Sequence, residues 1–278
     1  MKLSIITINF NNRYGLRKTI ESVVNQTWQE FEYIIIDGGS TDGSVEVIKE
    51  YADRIDYWVS EPDKGIYDAM NKGIDQAKGE YCLFMNSGDC IYQSTTLEEV
   101  KQQLDGTDII NGHVYFSNGA LQKSPAEIRL SFFYRLNSLP HQASFIATNL
   151  LKQRHYDTQY KIVSDYKFYI ETFIRGNASY KMINQYIAMF DTNGVSSLNI
   201  ELRTKEQQTI LEELFPNQIS ADYHKLIHGD TYEDKLYLVI KDHKLRKVFY
   251  TFNILIFKIY SLFSKRTRQW AKEFPFKI

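Results

Sequence analysis

Short apolar runs alternate with amphipathic segments through the first half of the chain. The runs are rich in β-branched and aromatic residues and are short enough to be buried β-strands; they cover 3–8, 31–36, 55–59 and 80–85. Between them, apolar residues recur at helical spacing, as in Ile66, Met70 and Ile74. Strands that alternate with helices of this length predict βαβ units. The pattern therefore predicts an α/β fold, a Rossmann-like, mostly parallel open sheet with helices on both faces.

Polar clusters follow three of these runs, at residues 7–11, 37–42 and 86–89. The carboxyl ends of parallel strands meet at one edge of a sheet, where ligands of open α/β folds bind. A carboxylate on such a turn can hold a divalent cation, which can in turn hold a diphosphate. The dinucleotide fingerprint and the P-loop pattern are both absent after the first run, which argues against common NAD and ATP sites.

The second half is patterned less regularly. Residues 108–116 read as a strand, which we place at an antiparallel edge, and 139–146 as another with His141 at its start. Ser164 is a candidate N-cap, with Asp165 in the first turn of the helix that follows. We expect a domain over 1–198, divided into two halves at 1–95 and 96–198. A helical C-terminal appendage over 199–278 begins with a helix at 199–215.

Net charge and cysteine content bear on whether the protein binds nucleic acid and on the redox state of its compartment. The net charge of −1 gives no global field for nucleic acid. Cys82 lies in a buried run, so we expect Cys82 and Cys90 to be free thiols in a reducing, cytoplasmic compartment. We expect no signal peptide and no transmembrane helix, because the start lacks a signal layout and no apolar run reaches about 20 residues.

The C-terminal tail has a different character. Residues 241–278 contain ten Lys or Arg residues and only two acidic ones, and 248–263 is nearly all apolar or aromatic. A basic, aromatic, amphipathic helix can lie on an anionic membrane surface. The tail could equally pack on the domain or on a second subunit, so the oligomeric state stays open.

The strand ends and turns of the first half resemble those of glycosyltransferase family 2, the large inverting family with the GT-A fold. The similar stretches are Ser4–Asn11, Asp37–Asp42 with the preceding Gln26-Thr27, and Asp63–Gly73. The resemblance is strong over about residues 1–90, weaker to about 195 and absent beyond. It implies that 1–95 is the nucleotide-binding half of the domain and 96–198 the acceptor half. The form of the turn at 86–89 is similar to a subgroup that acts on bacterial surface polysaccharides.

The resemblance implies a role for each matched residue. Asp37 would bind the uracil or guanine base, Asp165 would be the catalytic base, and Asp89 would hold Mg²⁺ or Mn²⁺. The other implied nucleotide-sugar contacts are Thr7, Asn9, Phe10, Ser40, Lys64, Gly65, Asp68, Asn71, Asn86 and Ser87. The family usually carries D-x-D at the turn after the fourth strand. Here Asn86, Ser87 and Gly88 precede Asp89, so two carboxylates are missing.

Each of these side chains also has a structural interpretation. Asp89 could be a turn residue, Asp37 a helix cap, and Asp165 a favourable charge at a helix start. His141 is more often a hydrogen-bonded core or edge histidine than a site residue, and Lys64 could simply be an exposed loop lysine.

Three functional hypotheses follow from this reading. The first is an inverting transferase that moves a hexose or N-acetylhexosamine from a UDP-sugar, or from a GDP- or dTDP-sugar, to a glycan or lipid-linked acceptor. It would work in the cytoplasm, or peripherally on the inner face of the membrane. The second is a catalytically silent sugar-nucleotide-binding module in a membrane-bound assembly complex, motivated by the depleted turn at 86–89. The third, a nucleotidyltransferase, ranks last because the turn after the first strand has no glycine to hold a triphosphate.

Overall fold

Strand β1 (Leu3–Asn9) lies between two parallel neighbours, β2 (Phe31–Asp37) and β4 (Tyr81–Phe84), and β3 (Tyr57–Ser60) extends the sheet beyond β2. All seven residues of β1 are buried, as a run of apolar residues covered on both faces of a parallel sheet requires. The connections contain helices α1 (Arg13–Val24), α2 (Ser44–Glu50) and α3 (Ile66–Gln76). The predicted βαβ units in the first half are therefore confirmed.

The remaining strands make the sheet mixed. They are β5 (Cys90–Ile91), β6 (Ile109–Phe116), β7 (Leu121–Gln122), β8 (Ser144–Ala147) and β9 (Tyr180–Phe190). The strand order is β3-β2-β1-β4-β8-β6-β9-β5, with β7 paired to β6 off this path. Strand β8 runs antiparallel to both β4 and β6, whereas β6 and β9 are parallel. The prediction that 108–116 forms an edge is wrong, because β6 lies between β8 and β9.

The other α-helices of the described residues follow α3 along the chain. They are α4 (Thr96–Val100), α5 (Leu130–Tyr134), α6 (Thr148–Gln153), α7 (Ser164–Ile170), α8 (Ile200–Leu214) and α9 (Asn217–His228). Helix α8 agrees with the predicted helix at 199–215. Its Glu206 carboxylate accepts hydrogen bonds from the backbone N–H groups of Lys161 (2.9 Å) and Ile162 (3.1 Å), which fixes the segment before α7.

Two local predictions in the second half are wrong. Residues 141–143 form a 3₁₀ turn, so the strand predicted at 139–146 begins only at Ser144. The Asn111 amide donates to the Ala143 carbonyl and thereby holds this turn on the sheet (3.1 Å). Ser164 is the first residue of α7 and makes no cap hydrogen bond. Its buried hydroxyl has no partner among the described residues.

Close packing of α3 on β1 fixes the height of α3 above the sheet. A Cβ built on Gly73 would lie 2.5 Å from Ile6 Cγ2, so only glycine allows this approach without a shift. Tyr67, Met70 and Ile74 are buried on the same helix. The amino end of α3 is thereby positioned near the carboxyl end of β1, where the polar clusters lie.

The computed structural model describes residues 1–192, 199–228 and 251. The chain divides into two compact units, 1–214 and 215–278, so α8 belongs to the first unit. Apart from Thr251, the basic tail at 241–278 lies outside the described residues, as does the loop at 193–198. Within the described part of the chain, no helix is long and apolar enough to cross a membrane. Cys82 and Cys90 are buried free thiols, as predicted.

Candidate active site at the carboxyl edge of the sheet

The three predicted polar clusters meet at the carboxyl edge of β1, β2 and β4. The Asn9 side chain connects them, because its Nδ2 donates to Asp37 Oδ1 (2.7 Å) and its Oδ1 accepts from Ser87 Oγ (2.7 Å). Ser40 joins the same network and accepts a hydrogen bond from the Asn11 backbone N–H (2.8 Å). The expectation that these clusters share one edge is therefore confirmed.

Asp37 is the centre of this network and is turned inward. Its carboxylate is completely buried and accepts from Asn9 Nδ2, Ser40 N–H (2.9 Å), Ser40 Oγ (2.6 Å) and Ser60 Oγ (2.6 Å). Burial alone would raise the pKa of Asp37, but the hydrogen bonds from Ser40, Ser60 and Asn9 outweigh it and hold the pKa below its ordinary value. This geometry does not support a direct nucleobase contact, since protein donors already occupy both oxygens. Asp37 instead orders the loops around it.

Several other predicted donor contacts also have structural partners. Thr7 is completely buried and donates to the Met85 carbonyl (2.8 Å), so it lies beneath the edge rather than on it. Asn71 makes two hydrogen bonds with the backbone of Tyr156, donating to its carbonyl (2.8 Å) and accepting from its N–H (2.9 Å). Asp68 accepts from the Lys64 backbone N–H (3.0 Å). These three side chains therefore hold the protein backbone around the site through their hydrogen bonds.

Phe10, Lys64 and Gly65 lie at the exposed surface of the edge. Phe10 is 64% exposed, an unusual setting for a phenylalanine directly after a buried strand. Lys64 is exposed, and Gly65 has a φ of +119°, which glycine adopts without strain. All three residues are exposed, and their contacts with a donor stay predictions.

Asp165 and His141 form a connected pair near the turn at 86–89. Tyr67 Oη donates to Asp165 Oδ1 (3.0 Å), and His141 Nδ1 lies 3.4 Å from Asp165 Oδ2. The other ring nitrogen, Nε2, lies 3.1 Å from Asn86 Nδ2. Burial, aided by the charge of Asp165, raises the pKa of Tyr67 well above its ordinary value, so this phenol stays protonated as a donor. The chain thus brings Asn86, His141 and Asp165 together.

Tyr67 was not among the residues predicted for the site. It sits in the Asp63–Gly73 stretch, next to Asp68, and the only signal was an aromatic residue at the start of the helical pattern that begins at Ile66. Its position as the second residue of α3 became meaningful only once its hydroxyl was seen to contact Asp165 on α7. Gln142 was missed as well, because the sequence pattern predicted a strand where the structure has the 3₁₀ turn that directs its side chain to Asp89.

Asp89 is buried, and each of its two carboxylate oxygens accepts a hydrogen bond. It accepts from Gln142 Nε2 (3.0 Å) and from the Asp191 backbone N–H (2.9 Å), and burial raises the pKa of Asp89 to about 6. A second carboxylate, Asp191, places Oδ2 3.1 Å from where a Cβ on Gly88 would lie. The buried Asn86 Oδ1 has no partner among the described residues.

These groups do not amount to a metal centre. In the part of the chain that the structure describes, no three His, Cys, Asp or Glu side chains are grouped to hold a metal ion. Cations such as Mg²⁺ and Mn²⁺ prefer carboxylate oxygens, and Asp89, the one carboxylate of the turn at 86–89, is buried. The described residues therefore do not fit a cation held by a protein carboxylate cluster, and Asp89 as a metal ligand stays a prediction.

A cavity of about 360 Å³ opens beside the catalytic candidates. His141, Gln142 and Asp165 line one side of it, and Phe190, Arg203 and Gln207 are among the residues that complete it. Its volume suits a small polar ligand such as one or two sugar rings. A carboxylate held by a tyrosine at the wall of such a cavity can accept a proton from a hydroxyl bound there.

Comparison with solved structures supports the same architecture. The structure of TarS from S. aureus in complex with UDP-GlcNAc superimposes with a TM-score of 0.63 at 18% identity, covering 88% of this chain and 77% of that one. The chain spans 42% of a longer TarS structure. Mannosyltransferase PcManGT from Pyrobaculum calidifontis, in complex with GDP-Man and Mn²⁺, gives a TM-score of 0.59 at 13% identity over 98% of this chain and 83% of its own. The fold is that of GT-A glycosyltransferases.

Sequence comparison settles the family. An uncharacterized glycosyltransferase of Mycobacterium tuberculosis is 33% identical over 203 residues, which is 70% of this chain and 77% of the relative. The profile described as Glycosyl transferase family 2 matches residues 4–161, more than half of the chain. This protein therefore belongs to glycosyl transferase family 2, and it is a glycosyltransferase.

Proposed function

We propose that this protein moves a hexose or N-acetylhexosamine from a UDP-sugar to a hydroxyl of a glycan or lipid-linked acceptor in polysaccharide biosynthesis. The observation that carries the proposal is the Asp165 carboxylate, which Tyr67 and His141 hold at the wall of a cavity large enough for a sugar. The uridine donor is favoured because TarS, a structural neighbour, has been solved with UDP-GlcNAc.

The mechanism needs one base and one open face of the donor sugar. A sugar hydroxyl is a weak acid and a poor nucleophile, so a carboxylate within reach must take its proton as the new C–O bond forms. In our proposal Asp165 takes that proton while the donor C1–O bond breaks and the nucleoside diphosphate leaves. A single displacement from the opposite face inverts the configuration at C1. Tyr67 orients the carboxylate and stays protonated throughout.

The donor would lie along the carboxyl edge, with Lys64 and Gly65 near the diphosphate and Asn86 and Ser87 near the sugar. No step of this proposal passes through Mg²⁺ or Mn²⁺, because the described carboxylates do not fit a cluster for either ion. A peripheral position on the cytoplasmic membrane also stays a proposal, since it depends on residues 241–278.

A donor panel tests the proposed reaction. Purified protein is incubated with UDP-GlcNAc, UDP-glucose, GDP-mannose and dTDP-glucose, with a mixture of lipid-linked and free oligosaccharides as acceptors, and the release of nucleoside diphosphate is measured. We expect release from a UDP-sugar and a product whose new linkage is β when the donor is α. Consumption with retained configuration, or consumption of none of the four donors, would contradict the proposal.

The second candidate is a binding module without transfer activity. The observation that favours it is the burial of Asp89, which leaves the turn at 86–89 without an exposed carboxylate. It predicts that a UDP-sugar binds and is never consumed with any acceptor. Turnover that depends on Asp165 would exclude it.

A further inference from the structure

Asn86, His141 and Asp165 form a chain of contacts that joins the turn after β4 to helix α7. His141 Nε2 lies 3.1 Å from Asn86 Nδ2, and His141 Nδ1 lies 3.4 Å from Asp165 Oδ2. Only 17% of the His141 side chain and 14% of the Asp165 side chain are exposed, so little water competes for the contact between them. The imidazole therefore has one defined neighbour at each ring nitrogen.

The neighbours of the two ring nitrogens decide where the ring hydrogen lies. A carboxylate only accepts, so the Nδ1 atom that faces Asp165 must carry a hydrogen if the two groups are to form a hydrogen bond. A neutral imidazole has a single N–H, so its Nε2 is then an acceptor and needs a donor. The Asn86 amide supplies that donor, because its Nδ2 faces Nε2. The hydrogen bonds then run in one direction, from Asn86 through His141 to Asp165.

The opposite orientation of the Asn86 amide would require a different state of the ring. The amide oxygen would then accept a hydrogen from Nε2, while Nδ1 would still need a hydrogen for Asp165. Only an imidazolium, with a hydrogen on both nitrogens, satisfies that arrangement. Asn86 Oδ1 is buried without a partner among the described residues, so the contact of Nδ2 with His141 is what sets the orientation of the amide.

The His141 N–H completes the set of donors around the Asp165 carboxylate. Asp165 Oδ1 accepts from Tyr67 Oη (3.0 Å) and from the Tyr166 backbone N–H (2.9 Å). The hydrogen-bond donor to Oδ2 among the described residues is His141. Rotation of a carboxylate about its last bond is soft, so donors on both oxygens are needed to fix its plane. His141 and Asp165 both line the cavity, where that plane decides which lone pairs face a bound hydroxyl.

We propose that Asn86 fixes His141 as the neutral Nδ1–H tautomer, and that this N–H and the Tyr67 hydroxyl together orient the Asp165 carboxylate toward the acceptor. Asn86 and His141 are positioning residues in this account, because neither takes the proton. The role in the reaction rests on the proposed function, since it takes Asp165 as the base. The tautomer itself does not.

Nuclear magnetic resonance of ¹⁵N-histidine-labelled protein observes the tautomer directly, because ring nitrogens with and without a hydrogen resonate far apart. The spectrum of the whole chain at neutral pH is compared with that of His141→Gln, which identifies the His141 signals by their loss. We expect a hydrogen on Nδ1 and none on Nε2. Asn86→Asp, whose carboxylate only accepts, should place a hydrogen on both nitrogens.

Two substitutions of His141 separate the roles of its ring nitrogens in the reaction. Asparagine can place an amide N–H where Nδ1 lies, since both atoms are bonded to Cγ, whereas glutamine carries its amide one bond further out, near the place of Nε2. A hydrogen bond to a charged group contributes about tenfold to a hundredfold. We expect His141→Gln to lower kcat by that factor at unchanged UDP affinity, and His141→Asn to recover most of the rate.

His155→Gln is the matched control for these variants. His155 Nε2 lies 2.8 Å from Asp75 Oδ1 in an exposed pair of the same kind outside the cavity. It should transfer sugar at the wild-type rate. Unchanged UDP affinity in every variant shows that the fold is kept.

The results that overturn this inference differ from those that overturn the proposed function. An Nε2–H ring or an imidazolium in the wild-type protein, or equal rates for His141→Asn and His141→Gln, would contradict the inference while sugar transfer continues. A protein with the Nδ1–H signature that consumes no donor would keep the tautomer and overturn both the proposed function and the role of His141 in it.

Discussion

Asp165→Asn should lower the rate of sugar transfer at least about a hundredfold, the lower range of what a general base contributes, while UDP binds with unchanged affinity. Asparagine keeps the size of the side chain and can still accept from Tyr67, whose hydrogen bond to Oδ1 is 3.0 Å long. It cannot take a proton from the acceptor. Nucleoside diphosphate release measures the rate, and calorimetric titration of UDP measures the affinity.

The matched control for this variant is Asp53→Asn, the same change at an exposed aspartate in the turn before β3. It should transfer sugar at the wild-type rate. Equal turnover by Asp165→Asn and the wild-type protein would remove Asp165 from the mechanism. A parallel loss of UDP affinity would instead make Asp165 a donor-binding residue.

Asp37→Ala should destabilise the first unit by about 3 kcal/mol or more and weaken UDP binding at least tenfold. The variant leaves four donors from Asn9, Ser40 and Ser60 without their acceptor, whose own position is completely buried. The loops that these residues anchor form the donor edge, so binding falls with stability. Urea unfolding followed by circular dichroism measures the first effect and calorimetry the second.

The effect of Asp37→Ala should also depend on pH. Because the folded-state pKa of Asp37 lies below its ordinary value, the carboxylate stabilises the folded protein above that ordinary value and loses this contribution as the pH falls through the folded pKa. The difference between wild type and variant should therefore be full at neutral pH and shrink at acid pH. A difference that stays constant down to about pH 2 would show that the charge of Asp37 is not what the network needs.

The first half of the fold could be predicted because local pattern and tertiary role agree there. A buried parallel strand such as β1 must be apolar throughout, and the polar residues that end it must lie at the carboxyl edge. The second half is built from short antiparallel pairs and turns whose partners are distant in sequence. The misread segment at 139–146 shows this, since its first part is a turn that Asn111 on the distant strand β6 holds in place through the Ala143 carbonyl.

The sequence predicted which residues meet at the site, but it did not predict the directions in which their side chains point. Asn9, Asp37, Ser40 and Ser87 do meet, but whether a carboxylate points outward or inward depends on donors from other strands, such as Ser60 for Asp37. The close approach of Asp63 to Gly38 is likewise a contact between two loops, and no spacing within either loop encodes it. The catalytic role of Asp165 remains a prediction that the surrounding geometry supports.

The most direct test of this account is calorimetric titration of UDP into the purified protein, once with Mn²⁺ and once with EDTA. If the carboxyl edge is a donor site that protein hydrogen bonds hold open without a carboxylate-bound cation, UDP binds once per chain under both conditions. Binding only with Mn²⁺ would show that Asp89 exchanges its bonds to Gln142 and Asp191 for a metal. No binding under either condition would contradict the account, because the edge would then not be a nucleotide site.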